Sequence, residues 1–163
     1  MIAGATDAGI CLFDFQYRKS IEVIQDRIRK GLQDEFVPGD HPLLDELESE
    51  MDAYFKGTLK AFTIPIHPVG SPFQLKVWDL LRQIPYGKHR SYLQQARELG
   101  DEKAIRAVAT ANGMNGIAIL IPCHRVLGSN GSLTGYAGGL SAKRWLLDHE
   151  AKQAGLEQQG HLF

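Results

Sequence analysis

The heptapeptide LIPCHRV at residues 120–126 places a cysteine, a histidine and an arginine side by side behind an aliphatic run. The thiolate is the nucleophilic form of cysteine, and a free thiol with a pKa near ~8.5 is only a few per cent ionised at neutral pH. A nearby histidine base that is oriented by a carboxylate raises that fraction. Cys123 and His124 are therefore candidates for nucleophilic chemistry. A small buried apolar residue is the alternative interpretation of Cys123, and it is the preferred one for Cys11, which lies in an apolar alternation.

The rest of the composition excludes several classes of protein. The two cysteines lie 112 positions apart and form neither a disulfide framework nor a zinc motif. Asp7 and Asp14 interrupt the first residues, which do not resemble a signal peptide. No apolar run approaches the ~18 residues of a membrane span. These features predict a cytoplasmic protein with reduced thiols, no membrane association, and no metal or other cofactor.

The charges are unevenly distributed, although the net charge is only −1. Residues 1–72 carry seven Lys or Arg and twelve Asp or Glu, whereas residues 73–150 carry ten and six. The basic half suits a polyanion such as DNA. Many proteins that bind no nucleic acid have a similar excess, so this feature alone does not establish a partner.

Hydrophobic periodicity predicts the elements of the first half. The alternation at 8–15 favours a strand, and apolar stripes predict helices over 20–32 and 41–57. A second alternation at 61–67 predicts a strand, which Pro65 restricts to an edge or a bend. The segment HPVGSP at 67–72 is the best candidate for a linker.

The second half reads mostly as helices with clear caps. Ser71 precedes Pro72 at the start of one helix, and Ser91 and Asp101 are the predicted N-caps of two short helices that end near Gly100 and Gly113. Two short helices joined at a glycine are typical of a helix-turn-helix.

Two further segments follow this helical pair. The apolar run 117–122 predicts a buried strand that Pro122 ends. Residues 141–150 predict a final helix with Ser141 as its cap and with Trp145 and Leu146 facing inward. The turn-rich, glycine-rich stretch between them, 127–141, leaves room for a ligand.

Four segments together resemble the O6-alkylguanine-DNA alkyltransferases. PCHRV at 122–126 resembles the active-site signature of that family, and RAVATANGMN at 106–115 is similar to a second family element. The segments 71–92, with its Ser-Tyr pair, and 135–150 are similar to the family's entry helix and closing segment. They form one collinear series over about half of the chain.

The resemblance implies a fold in two parts. An α/β domain over residues 1–70 would carry a ribonuclease H-like sheet, and residues 1–15 look like the second strand of that sheet, with the strand before it missing. A mostly α-helical domain over residues 71–163 would carry the helix-turn-helix and the active site.

The resemblance also implies a reaction and the catalytic residues for it. The protein would repair O6-alkylguanine in double-stranded DNA, and O4-alkylthymine as well, by moving the alkyl group irreversibly to Cys123. His124 would take the thiol proton through a water, and Glu150 would hold His124. Tyr92 would protonate the departing guanine, and Asn115 would link the helix-turn-helix to the reactive loop.

Base flipping is implied because the target carbon is unreachable inside a stacked duplex. Arg106 would fill the vacated space, from a helix that lies in the minor groove. The implied DNA-binding residues are Ala104, Ile105, Arg106, Ala107 and Thr110, among which small side chains keep the helix slim and Ile105 packs inward or acts as an apolar wedge. The implied walls of the base pocket are Gly135, Tyr136, Ala137 and Gly138.

Two other functions compete with alkyl transfer at this point. A DNA-binding module of the alkyltransferase-like type would lack the reactive cysteine, and Cys123 argues against it. A hydrolase using cysteine, histidine and glutamate would need an oxyanion hole, which sequence cannot establish. The preference for methyl or larger groups stays open, and a monomer is the default expectation because a one-shot reaction needs no second subunit.

Overall fold

A short β-hairpin opens the chain in the computed structural model, which describes residues 1–156. Strand β1 (Ile2–Thr6) pairs antiparallel with β2 (Gly9–Asp14), and the backbone reverses between them with Gly9 at a φ of 147°. The strand predicted at 8–15 is confirmed as β2. Residues 1–15 as a whole are a hairpin and not one strand, because the polar turn between β1 and β2 divides the stretch.

Two amphipathic helices follow where the periodicity predicts them. Helix α1 (Ile21–Leu32) buries Ile24 and Ile28 against β2. Helix α2 (Pro42–Phe55) ends with Tyr54 fully buried. Both predicted helices are confirmed, since their apolar stripes face the hairpin and the protein interior.

The segment at 61–67 does not form the predicted strand. Ile66 makes an isolated bridge with Ile10, whose amide donates to the Pro65 carbonyl at 2.9 Å and whose carbonyl accepts from the His67 amide at 2.8 Å. Proline has no amide hydrogen to continue a ladder. The alternation of apolar residues therefore yields an edge contact with β2 and no regular strand.

Two helices of the second half begin at the predicted caps. Helix α3 (Pro72–Arg82) has a capping box in which Ser71 and Gln74 bond each other's backbone amides. After a two-residue strand β3 (Arg90–Ser91), helix α4 (Tyr92–Glu98) begins with a second capping box on Ser91. Each box satisfies two amides that a helix start otherwise leaves unpaired.

The predicted helix over 101–113 is divided. Asp101 caps a single 3-10 turn (Glu102–Ala104), and helix α5 (Ile105–Gly113) begins after it. Gly100, at a φ of 86°, makes the turn between α4 and this segment. Helix α5 packs on both α3 and α4, so the two short helices lie side by side.

The buried run at 117–122 is irregular and not the predicted strand. Ile117 bridges Phe13, and Ala118 bridges Ile121 within the run itself. Ile119 has a φ of 72°, a left-handed conformation that a β-branched residue rarely adopts. The chain turns back on itself here, which a strand does not do, and every residue of the run stays buried.

The last helix differs from its prediction at its start and on one face. Helix α6 (Leu140–Gln153) has Gly139 and not Ser141 at its N-cap. Leu146 faces inward as expected, but Trp145 is 52% exposed and stacks its ring on His149 at 5.0 Å. The prediction that Trp145 faces inward is wrong, because an aromatic ring need not be buried. The Trp145 ring lies on the surface of α6 against His149.

One hydrophobic core joins both halves of the chain. It contains Ile10 and Leu47 from the first 70 residues together with Val77, Leu81 and Ile121 from the remainder. The division into domains at residue 70 stays a prediction. Within residues 1–156, no helix is both long and apolar enough to span a bilayer.

The capping box of α3 gives the first testable prediction. Ser71→Ala removes the acceptor for the Gln74 amide, which lies at 3.2 Å from the serine oxygen. We expect a loss of about 1 kcal/mol in the free energy of unfolding, measured by urea denaturation. Ser129→Ala, at an exposed serine in a turn, is the matched control and should change it by less than about 0.5 kcal/mol. Equal effects of the two substitutions would show that the cap contributes nothing.

Candidate active site

Cys123 opens a 3-10 turn (Cys123–Arg125) that leads directly into strand β4 (Val126–Leu127), which pairs with β3. The cysteine is only 9% exposed. Its sulfur accepts a hydrogen bond from Asn115 Nδ2 at 3.3 Å. Burial raises the pKa of the Cys123 thiol, and this hydrogen bond opposes the rise.

Asn115 connects the end of α5 to the reactive turn. Besides the sulfur, its Nδ2 donates to the Ile121 carbonyl at 2.9 Å, and its Oδ1 accepts from the Ile117 amide at 2.9 Å. The Asn115 side chain thus holds Ile117 and Ile121, near the two ends of the irregular run 117–122, close to each other. A C-cap or turn role, the simpler interpretation of this asparagine, does not account for a fully buried amide with three partners.

His124 and Glu150 form a buried pair. His124 Nε2 lies 2.7 Å from Glu150 Oε1, and both residues are fully buried. Burial lowers the pKa of His124 although Glu150 opposes this, so the imidazole is neutral at rest. Because a carboxylate accepts, Nε2 carries the hydrogen and Nδ1 is left as an acceptor. Nδ1 is buried and has no hydrogen-bond partner within the described part of the chain.

Glu150 accepts from three further groups. Arg125 donates from Nε to Oε2 at 2.8 Å and from NH2 to Oε1 at 3.0 Å, a two-pronged pairing. The Tyr54 hydroxyl donates at 2.8 Å and the Gly87 amide at 3.2 Å. Burial alone would raise the pKa of Glu150, but the hydrogen bonds and charges of His124 and Arg125 bring it well below its usual range. The carboxylate is therefore ionised.

Cys123 lines a cavity of about 800 Å³ between α4, α5 and the glycine-rich loop. Tyr92, at the start of α4, and Arg106, on α5, line the same cavity. The remaining lining residues include Tyr17, Arg18, Lys19, Ser20, Ile105, Ala109, Asn112, Gly113 and residues 134–139. Four predicted pocket residues, at 135–138, are thus brought together with the cysteine.

The loop wall of the cavity is supported from behind by the end of β2. Phe15 meets Tyr136 edge to face at 5.7 Å, and the Tyr17 hydroxyl donates to the Gly138 carbonyl at 3.3 Å. A Cβ on Gly138 would lie 2.5 Å from the Phe15 ring, so a larger residue there would have to displace that ring. The hydroxyl of Tyr136 is buried without a partner among residues 1–156.

Tyr92 and Lys143 also lie close enough to Cys123 to interact with its charge. Burial raises the pKa of Tyr92, so its phenol stays protonated at neutral pH. Lys143 is fully buried and donates to the Val126 and Thr134 carbonyls at 2.5 and 2.7 Å. Burial lowers the pKa of Lys143 to about 8. Its ammonium lies 6.0 Å from the Tyr92 ring centre.

The predicted DNA-binding residues occupy one exposed helix start. Ile105 and Arg106 border the cavity, and Ile105 is 37% exposed and not packed inward. Ala107 and Thr110 are exposed outside the cavity, and Ala104 is half-buried against the core. The structure therefore places small side chains beside Arg106 on the surface of α5.

Several site residues have no signal in the sequence. Tyr54 and Gly87 reach Glu150 from distant parts of the chain. Arg18 lines the cavity and is paired with Asp14. A tyrosine in a helix stripe and an arginine after a strand look like ordinary core and surface residues. Within the described residues, no group of three or more His, Cys, Asp or Glu side chains could hold a metal ion.

Comparison with known proteins identifies the class of this site. Residues 72–152 match the family model "6-O-methylguanine DNA methyltransferase, DNA binding domain". The chain is 50% identical over 105 residues to the methylated-DNA–protein-cysteine methyltransferase of Methanosarcina acetivorans, covering 64% of this chain and 67% of that protein. It is 42% identical over 134 residues to the inducible enzyme of that name from Bacillus subtilis, covering 82% and 75%.

A solved structure agrees with these matches. The crystal structure of Mycobacterium tuberculosis OGT in complex with DNA aligns with a TM-score of 0.77 and 35% identity, over 93% of this chain and 86% of that one. The chain belongs to the methylated-DNA–protein-cysteine methyltransferase family.

The ionised Glu150 gives a prediction about pH and stability. Glu150→Gln leaves Arg125 buried with a weaker acceptor, so we expect a loss of about 3–5 kcal/mol in the free energy of unfolding at pH 7. The pKa of Glu150 is lower in the folded protein than in the unfolded chain. Its contribution is therefore complete above about pH 5 and is lost as the pH falls toward the folded value. The difference in the free energy of unfolding between the variant and the parent protein, measured by urea denaturation, should become smaller below about pH 4.

Glu98→Gln is the matched control for this experiment. Glu98 pairs with Arg90 near the surface, where such a pair contributes at most about 1 kcal/mol. We expect a small loss at pH 7 for this control. A Glu150→Gln gap that stays constant or widens in acid would contradict an ionised buried carboxylate.

Proposed function

We propose that the protein repairs O6-alkylguanine, and O4-alkylthymine, in double-stranded DNA by irreversible transfer of the alkyl group to Cys123. The observation that carries the proposal is a buried cysteine in the wall of a large cavity, followed in the chain by a histidine that is hydrogen-bonded to a buried carboxylate. Family membership supports the same reaction. This arrangement suits a nucleophile aimed at one carbon atom of a base held in the cavity.

The proton of the thiol moves first in the proposed mechanism. His124 Nδ1, the acceptor nitrogen of the neutral ring, takes it through a water, and the ionised Glu150 stabilises the resulting imidazolium. The thiolate then bonds to the alkyl carbon while the bond from that carbon to guanine O6 breaks. The electron pair leaves with the base.

The departing base also needs a proton, because a purine anion is a poor leaving group. Tyr92 lines the cavity with its phenol protonated and donates to the guanine ring. The proton on His124 restores that of Tyr92 by way of solvent. The product on Cys123 is a thioether, which lacks the hydrolytic and exchange routes that return a thioester or a disulfide to the thiol.

DNA would bind to helices α4 and α5, which would act as a helix-turn-helix. This pair would belong to a helical domain over residues 71–163. Helix α5 and the turn before it would enter the minor groove, with Ala104, Ala107 and Thr110 as small side chains there and Ile105 as an apolar wedge. Arg106 would occupy the space of the flipped nucleotide. The exposure of this helix face and its position at the mouth of the cavity support the assignment.

The flipped base would lie between Tyr136 and the backbone of Gly135, Ala137 and Gly138, where glycines allow a close approach. Residues 1–70 would form the companion α/β domain with a ribonuclease H-like sheet. The reaction needs no cofactor and no second subunit, so we propose a monomer that acts as a single-use reagent in the cytoplasm.

Stoichiometry tests the proposed reaction directly. With a tenfold excess of methylated duplex, we expect a burst that stops at one alkyl group per protein, located on Cys123 by mass spectrometry. Cys123→Ser should bind DNA and transfer nothing measurable. Cys11→Ser, at the other buried cysteine, should leave the burst unchanged.

Other outcomes assign other functions. Binding without a mass gain would indicate a DNA-binding module, and repeated product release beyond one equivalent would indicate a hydrolase. A burst that survives Cys123→Ser would place the nucleophile elsewhere and end the proposal.

Base flipping gives a second test. Arg106→Ala should slow transfer from methylated duplex more than transfer from free O6-methylguanine, because the free base has no stack to leave. Lys103→Ala is the control for general charge: it should weaken DNA binding and lower its salt dependence without this difference between substrates. Equal losses on both substrates for Arg106→Ala would remove the flipping role.

A further inference from the structure

The end of helix α5 is held by arginines from the first part of the chain. A helix leaves its last carbonyls without partners. Here Arg18 donates to the Gly113 carbonyl and, at 2.8 Å, to the Asn115 carbonyl. Arg27 donates to the intervening Met114 carbonyl at 2.8 Å. Three consecutive carbonyls at the negative end of the helix dipole are therefore bonded to two cations.

Arg18 is itself fixed in position by its remaining hydrogen bonds. Its NH1 pairs with Asp14 Oδ2 at 2.6 Å, and Nε donates to Ser20 Oγ at 2.8 Å. Arg18 is 8% exposed and Asp14 is fully buried. Every nitrogen of the guanidinium has an acceptor, so the group has a single orientation, and a lysine cannot reproduce the fork.

Arg18 thereby connects the reactive turn to the helix that would contact DNA. It bonds the backbone of Asn115, whose side chain bonds the Cys123 sulfur, and it bonds the end of the helix that carries Arg106. It also lines the cavity that contains Cys123. A shift of the α5 end against the reactive turn would have to break these buried bonds.

We propose that Arg18, held by Asp14, is a positioning residue for alkyl transfer. It fixes helix α5 to Asn115, so that the base displaced by Arg106 enters the cavity with its alkyl carbon at attack distance from Cys123 Sγ. The inference rests on the proposed function. It assigns a positioning role to a residue of the segment between β2 and α1, outside the helical half of the chain that carries Cys123.

The charge of Arg18 acts on the thiol as well. Burial is the main cause that raises the pKa of Cys123, and the nearby cation of Arg18 opposes it. The other ionisable groups around the sulfur are Asp14, Tyr92, His124, Tyr136 and Lys143. Of these, Lys143 also favours the thiolate, and Asp14 disfavours it.

Two readouts on the full chain separate positioning from general stabilisation. Single-turnover transfer from methylated duplex reports geometry. The pH dependence of thiol alkylation by iodoacetamide, in the Cys11→Ser background, reports the charge at Cys123 and does not depend on the proposed function. Arg27→Met is the matched control, because it removes the neighbouring bond to Met114 but none to Asn115.

Arg18→Gln should slow transfer at least about tenfold, as expected for a small misplacement of reacting atoms, and should move the iodoacetamide profile to higher pH. Arg18→Lys keeps the positive charge but loses the several hydrogen bonds of the guanidinium. It should therefore slow transfer while leaving the pH profile of the iodoacetamide reaction unchanged. Asp14→Asn should also slow transfer but move the profile to lower pH, because a negative charge is removed. Arg27→Met should lower the unfolding temperature without changing either readout.

The proposal is overturned if Arg18→Gln and Arg27→Met lower the unfolding temperature alike and leave transfer and pH profile unchanged. If Arg18→Gln fails to fold, Arg18→Lys and Asp14→Asn test the proposal in its place. Transfer at the rate of the parent protein in both variants would also overturn the proposal. A parent protein that reacts with iodoacetamide as expected but transfers no alkyl group would refute the proposed function and not the charge effect of Arg18.

Discussion

The carboxylate of Glu150 is the constraint on which the rest of the site depends. A fully buried charge is tolerated only when it is paired and hydrogen-bonded. Glu150 meets this condition with donors from His124, Arg125, Tyr54 and Gly87, which belong to the reactive turn, α2 and the loop after α3. Satisfying one carboxylate therefore fixes the register of α6 against three other parts of the fold. Because the carboxylate holds His124 as well, the same bonds orient the proposed base.

Local signals in the sequence predicted most of the helices, whereas the strands expected at 61–67 and 117–122 did not form. Ser71 with Pro72, and Ser91, indicate helix starts because the bonds that a cap makes lie within four residues. The collinear motifs likewise indicated Cys123, His124 and Glu150 as one set, and the structure brings the latter two into contact. Their roles in catalysis stay predictions. Signals of this kind are readable because their physical cause lies inside the segment that carries them.

Features with distant causes could not be predicted in the same way. The buried run at 117–122 has strand composition, yet it turns back at Ile119 because Asn115 captures Ile121 and Ile117. Periodicity reports burial and not the path of the backbone. Arg18 gave no signal, since its partners at Gly113 and Asn115 lie more than ninety residues away. Such contacts become visible only when the chain is folded.

The spread of the site along the chain has a consequence for how the protein is made. The residues that hold the reactive turn, directly or through Asn115, extend from Arg18 to Glu150 in α6. A growing polypeptide emerges from the ribosome with its N-terminal part first. Cys123 is therefore synthesised before the carboxylate that orients its neighbouring histidine. The bonds between the reactive turn and α6 therefore form only after that helix has been synthesised.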